Sequence, residues 1–197
     1  MTPQTGDMIL YAPKPGRANF AQRGIQAYGS VSTHGEMAKV DVHRKVWGGC
    51  AHKPYFELLL TDGRGGDWAV YRWHLFCRPE HHHTAYYRTY RECVGSMLRL
   101  GHEMRWPYDS RAIKWITYNY VNRLFWRWGG KSYHVEHAVY CIESMDLITR
   151  ACQVDIFQPV RPQKHLAPVH CERLVSSQHW VLIEDHNLHN RILGMQR

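Results

Sequence analysis

The sequence predicts an α+β protein in which an antiparallel sheet packs against a helical block. Strand-like apolar segments concentrate between residues 36 and 76, and helical periodicity concentrates between residues 80 and 152. Segregated runs of this kind indicate α+β, whereas strict alternation would indicate a parallel α/β sheet. A length of 197 residues suits one domain with a sizeable core.

The elements follow in chain order. Met8 to Tyr11 (MILY) reads as a buried first strand, closed by Pro13 and Pro15. Residues 17 to 28 place Phe20, Ile25 and Tyr28 on one face of a short helix, which Gly24 weakens. Met37, Val40, Val42 and Val46 alternate loosely over residues 36 to 47, as in a strand interrupted near Asp41. Gly48-Gly49 predicts a turn. YFELLL (55 to 60), TDGRGGD (61 to 67) and WAVYRW (68 to 73) predict a hairpin. Tyr86, Tyr90, Val94, Met97 and Leu98 then recur at helical spacing up to Gly101. A second helix is expected over 109 to 128 and a third from Cys141 to Cys152. Three prolines make residues 158 to 170 a loop, and WVLIE (180 to 184) closes the chain with a strand.

Composition narrows the function. Hydrophobic residues make up 44% and aromatics 13%, which excludes a disordered chain. The formal charge of +8 favours acidic partners: nucleic acid, anionic lipid or an anionic cell-wall polymer. The cations are spread along the chain, as in a generally basic soluble protein. Six cysteines include no C-x-x-C pair, so a zinc ribbon is not expected, and mostly free thiols made in a reducing cytosol are. The N-terminus lacks a signal-peptide pattern and no apolar run is long enough to span a membrane.

Cys141 is the thiol that chemistry singles out. It stands where the strand-like HAVY meets the helical CIESMDLI. A helix N-terminus favours thiolate through the macrodipole and its unpaired N–H groups. A nucleophilic cysteine also needs a base and a group that orients the base. Other clusters carry less. Three adjacent imidazoles, His81 to His83, cannot converge on one ion. His134 and His137 flank Glu136 in a segment of β character. WITYNYVNRLFWRW reads better as core plus snorkelling arginine than as a base-stacking surface.

Four segments, in order, resemble the circularly permuted papain-fold hydrolases, including the YiiX-like branch of the NlpC-type superfamily and, more distantly, the lecithin–retinol acyltransferases. They are Gly6-Asp7-Met8-Ile9-Leu10, Ser32-Thr33-His34-Gly35, Trp106-Pro107-Tyr108-Asp109 and Tyr140-Cys141-Ile142-Glu143. Thr33 is an insertion relative to that pattern, and Ile142 stands where the family often has serine. The resemblance implies Cys141 as nucleophile, His34 as general base and Glu57 as the third residue, with His43 and then Asp41 as alternatives. It implies one permuted papain-like domain over 1 to 197, with an extension from about 158, and no cofactor or metal. The implied activity is a cysteine amidase or peptidase acting through an acyl-thioester on bacterial cell-wall peptides. A non-catalytic module of this fold in a larger assembly, such as a phage tail, is the alternative. A peptidoglycan-like substrate or assembly proteins are then the expected partners, nucleic acid is not, and a virion is one expected setting.

Overall fold

The structure, a computed structural model, describes residues 1–26, 29–51, 54–61, 65–82, 84–108, 141–160 and 166–194. The second expected helix, over 109 to 128, lies outside these residues, as do Asp109, His134 and His137.

Six antiparallel strands form one sheet in the order β4-β3-β2-β1-β5-β6. They are β1 (Met8–Ala12), β2 (His34–Val40), β3 (Val46–Ala51), β4 (Phe56–Leu60), β5 (Asp67–Trp73) and β6 (Trp180–His186). The helices are α1 (Phe20–Gln26), α2 (Pro79–His82), α3 (Ala85–Glu103), α4 (Cys141–Ala151), α5 (Pro168–Ser176) and α6 (His189–Gly194). The α+β expectation and the sheet are therefore as read from the sequence. None of the described helices is long and apolar enough to cross a membrane.

Strand β1 sits inside the sheet and every one of its residues is buried. Met8 and Leu10 enter the main core, where α3 contributes Tyr90, Val94 and Leu98, and α4 contributes Ile142, Met145 and Ile148. Ile9 and Tyr11 face the other way, into a smaller cluster with Ala38, Trp68 and Val70. Apolar packing on both faces explains a continuous apolar run where a half-solvated strand would alternate.

Several boundaries differ from expectation. Gly48-Gly49 is not a turn but lies within β3. A Cβ on Gly49 would collide with Leu98 of α3, so the glycine lets helix and sheet approach. The turn sits at Asp41, whose carboxylate accepts the backbone N–H groups of His43 and Lys45 and the Trp47 indole N–H. Helix α3 turns Tyr87 rather than Tyr86 into the core, and it runs past Gly101, which packs against Phe56 and Trp106. Pro168, expected in a loop, opens α5, where a missing N–H costs nothing. The segment expected as an extension supplies β6 to the sheet edge and Leu174, Val175 and Ile192 to the core. Cys50, Cys77, Cys141 and Cys171 are thiols, in keeping with the expectation of mostly free thiols, while Cys93 and Cys152 form a disulfide joining α3 to the end of α4.

Asp7, from the opening Gly-Asp motif, is a buried charge with a full set of partners. Arg72 of β5 donates Nε to Asp7 Oδ1 at 2.8 Å and Nη2 to Asp7 Oδ2 at 2.9 Å, and Gln4 N donates to Oδ2 at 2.8 Å. Arg72 Nη2 also reaches Thr2 O. The pair is 1% and 2% exposed, so deleting either member strands the other without solvent. Asp7→Ala or Arg72→Ala should each cost about 3–5 kcal/mol in urea unfolding, and the double variant should cost less than the two summed.

Candidate active site

Three consecutive residues of β2 divide their work by strand alternation. His34 and Glu36 project to one face and Gly35 to the other. Gly35 receives α4: a Cβ there would collide with Ile142 Cδ1 and lie 2.9 Å from Met145 Sδ. The glycine in the Ser-Thr-His-Gly segment thus brings the start of α4, and Cys141 with it, down onto the strand beside His34.

Glu36 Oε1 lies 2.9 Å from His34 Nε2, and the Glu36 side chain is wholly buried while that of His34 keeps 22% exposure. Cys50 of β3 completes the cluster, with Sγ 3.0 Å from His34 Nε2 and 3.5 Å from Glu36 Oε1. The glutamate carboxylate occupies the space that Gly48 leaves, because a Cβ on Gly48 would overlap Glu36 Oε2. One strand glycine seats the helix and another seats the acid.

Cys141 is the first residue of α4, is buried, and hydrogen-bonds to the His34 ring. Burial pushes its thiol up, but the His34 charge, the bond to the ring, and backbone hydrogen bonds from Gly35 and Ile142 outweigh it, so Cys141 lies below the ordinary thiol value. His34 moves the opposite way. Burial pushes the imidazole down, and the neighbouring sulfur atoms of Cys50 and Cys141 raise it by more, to well above its ordinary value. Both shifts favour a thiolate–imidazolium pair.

The loop entering β2 is pinned from the C-terminal part of the chain. Buried Glu172 of α5 accepts hydrogen bonds at Oε1 from Ser30 Oγ (2.8 Å), Ser32 Oγ (2.6 Å) and Ser32 N. Thr33 N then donates to Tyr11 O, which starts the β1–β2 register directly before His34.

The structure brings Cys141 and His34 together, as expected, but the carboxylate on the ring is Glu36 and not Glu57. Glu57 faces Cys50 across the β3–β4 pair, so Cys50 stands between it and Glu36. His43 is exposed in the β2–β3 turn, and Asp41 is spent holding that turn. Glu36, Cys50 and Glu172 were missed from the sequence. A signal existed for Glu36, since a residue two positions after His34 on a strand must share its face. Trp106 and Tyr108 hydrogen-bond the backbone of Phe56 and Pro54 beside β4, which places the Trp-Pro-Tyr segment at the sheet margin.

No protein-family model matches the chain, and no curated protein matches it in sequence. The fold is similar to the crystal structure of YiiX from Escherichia coli O157:H7, described as a metalloprotein of DUF1105. The TM-score is 0.51 and the identity 16%, over 79% of this chain and 70% of that one. At that identity the likeness concerns the fold, and the YiiX-like expectation is consistent with it.

Proposed function

We propose that the chain is a cysteine hydrolase of permuted papain type that cleaves an amide or ester through an acyl-thioester. The observation that carries this is the continuous chain from the Cys141 thiol through the His34 ring to the buried Glu36 carboxylate. With Nε2 engaged by Glu36, Nδ1 is the nitrogen that exchanges a proton with Cys141.

The Cys141 thiolate attacks the substrate carbonyl. Imidazolium His34 protonates the leaving amine or alcohol as the carbon–heteroatom bond breaks, and the acyl group remains on sulfur. Water then gives a proton to His34 as its oxygen adds to the thioester carbon, the carbon–sulfur bond breaks, the carboxylic acid departs, and Cys141 is restored as thiolate beside imidazolium His34. The N–H groups of Gly35 and Ile142, already turned to the sulfur, suit the developing oxyanion. Glu36 acts as a positioning residue: it fixes the tautomer and stabilises the imidazolium. The basic charge and the resemblance of the motifs favour bacterial cell-wall peptides as substrate, reached from a chain made in the cytoplasm or carried in a virion. A structural module of a larger assembly is the rival reading.

A second reading rests on a separate observation. Donor atoms of His34, Glu36 and Cys50 lie within 4.8 Å of one another, and imidazole, carboxylate and thiolate together suit zinc. YiiX is itself described as a metalloprotein. Bound zinc would supply Lewis acidity. A metal on Nε2 would leave Nδ1 protonated, so His34 could not act as base toward Cys141. The two readings therefore exclude each other within one molecule.

Three outcomes test these proposals. Because the Cys141 pKa is lowered, iodoacetamide should label it selectively at pH 7, below the range near 8.5 where ordinary thiols ionise. The rate should fall on the order of tenfold in His34→Ala, with the titration moving to higher pH. Labelling no faster than at Cys50, Cys77 and Cys171 would reject the nucleophile. The acid assignment separates by mutation: Glu36→Gln, or Gly48→Ala through displacement of Glu36, should slow labelling at pH 7, whereas Glu57→Gln should leave it within about twofold. Zinc titration decides the metal reading. Under the hydrolase proposal, ester hydrolysis survives a chelator and excess zinc slows it reversibly, except in Cys50→Ser. Activity lost on chelation and restored by zinc would establish the metal centre instead.

A further inference from the structure

A cleft of about 450 Å³ lies between α3, the N-terminal segment and the far end of β2. Its walls carry Lys39, Arg88, Arg91 and Arg99 and a single carboxylate, Glu92. Arg88, Glu92, Gly95 and Arg99 follow the i, i+4, i+7, i+11 spacing of one helix face, and Lys39 faces them from β2.

Two features distinguish this cleft from a solvated basic surface. Arg91 Nε is buried and has no hydrogen-bond partner among the described residues, while its guanidinium lies 5.8 Å from the Tyr87 ring. The arginine is thus held in place with a donor to spare, which is costly unless something accepts from it. The second feature is Gly95, in the middle of a 19-residue helix, where glycine costs about 1 kcal/mol relative to alanine. Packing does not demand it, because an added Cβ would sit at an ordinary 3.6 Å from Thr5 Cγ2. Its effect is to keep the floor of the cleft open between the arginines.

We propose that this cleft binds a phosphate group, carried either by a small phosphoester or by a phospholipid headgroup. Planar guanidinium groups offer paired N–H donors that match phosphate oxygens, and Lys39 adds a point charge from the opposite wall. The volume admits a phosphate with an attached organic group. The cleft lies at the opposite end of β2 from His34, about 17 Å along the strand at 3.4 Å per residue, so it is separate from the cysteine site.

Calorimetry on the whole chain with glycerol phosphate and with inorganic phosphate tests this, alongside flotation with phosphatidylcholine vesicles containing phosphatidylglycerol. Saturable binding is expected, weakened roughly tenfold or more in Arg91→Gln and Arg99→Gln and unchanged in Cys141→Ala. Gly95→Leu should abolish it by filling the floor while thermal stability stays level or rises, which separates loss of the site from loss of the fold. Binding to free phosphoesters identifies a small ligand, and binding to vesicles alone identifies the headgroup; both support the cleft. Wild-type-like binding in the arginine variants would overturn the proposal. So would the absence of binding to either probe, or binding confined to DNA and insensitive to Gly95→Leu.

Discussion

The site depends on a constraint of strand geometry: successive side chains point to opposite faces. In β2 that rule places His34 and Glu36 together and leaves Gly35 alone on the helical side. Gly35 must lack a Cβ for Ile142 and Met145 to seat, and only when they seat does the first turn of α4 reach His34. An imidazole, its acid partner and the docking point of the thiol-bearing helix are thereby specified by three adjacent residues. A one-residue register slip would invert all three at once, which makes the β1–β2 pairing a condition of the site.

The surroundings answer that constraint. Glu36 is buried beside a ring that is only partly so, and its carboxylate needs room that no side chain at position 48 would leave. Cys50 fills the remaining flank. Upstream, Glu172 collects three hydrogen bonds from Ser30 and Ser32, so the approach to β2 is tied to a helix about 140 residues away in sequence. Where β1 begins and β5 ends, Asp7 and Arg72 tie the two neighbouring strands together. Polar networks of this kind add less net stability than their bond count suggests, but a half-satisfied version is expensive, and that penalty favours one register and one loop path.

Much of this was legible in the sequence, and the failures share a cause. Period and order gave the strand block and the helices within the described residues, because these follow from local pattern, while the Cys141–His34 pair came from the resemblance of the ordered motifs to a known family. Glycine and proline misled where their tertiary role overrode their local one. Gly48 and Gly49 read as a turn, yet each makes way for a side chain from another element. The prolines near residue 168 read as a loop, yet one begins a helix. Glu57 fits the family pattern of an acid just before the glycine-rich hairpin, whereas Glu36 follows from the two-residue repeat of the strand that carries His34. Glu172 had no local signal, since its partners are fixed by the packing of α5 on the loop before β2. The Cys93–Cys152 pairing likewise depends on how α3 and α4 lie side by side, which spacing alone does not determine.

The buried thiols show what separates a candidate nucleophile from a core cysteine. Cys50, Cys141 and Cys171 are all buried, and burial alone pushes every thiol up. Cys171 follows that rule, with the neighbouring Cys141 and Glu172 adding to it. Cys50 is the sharper control, because it touches the same imidazole as Cys141 and is still pushed up. It lies within a strand, with Glu36 beside it opposing ionisation. Cys141 differs in standing at a helix start, where Gly35 and Ile142 add backbone hydrogen bonds to the charge and bond of His34. An imidazole neighbour is therefore insufficient by itself. At Cys141 the His34 charge and hydrogen bond are joined by backbone donors that do not titrate, which the close approach of α4 to Gly35 brings to this sulfur, whereas at Cys50 the neighbouring Glu36 works against ionisation.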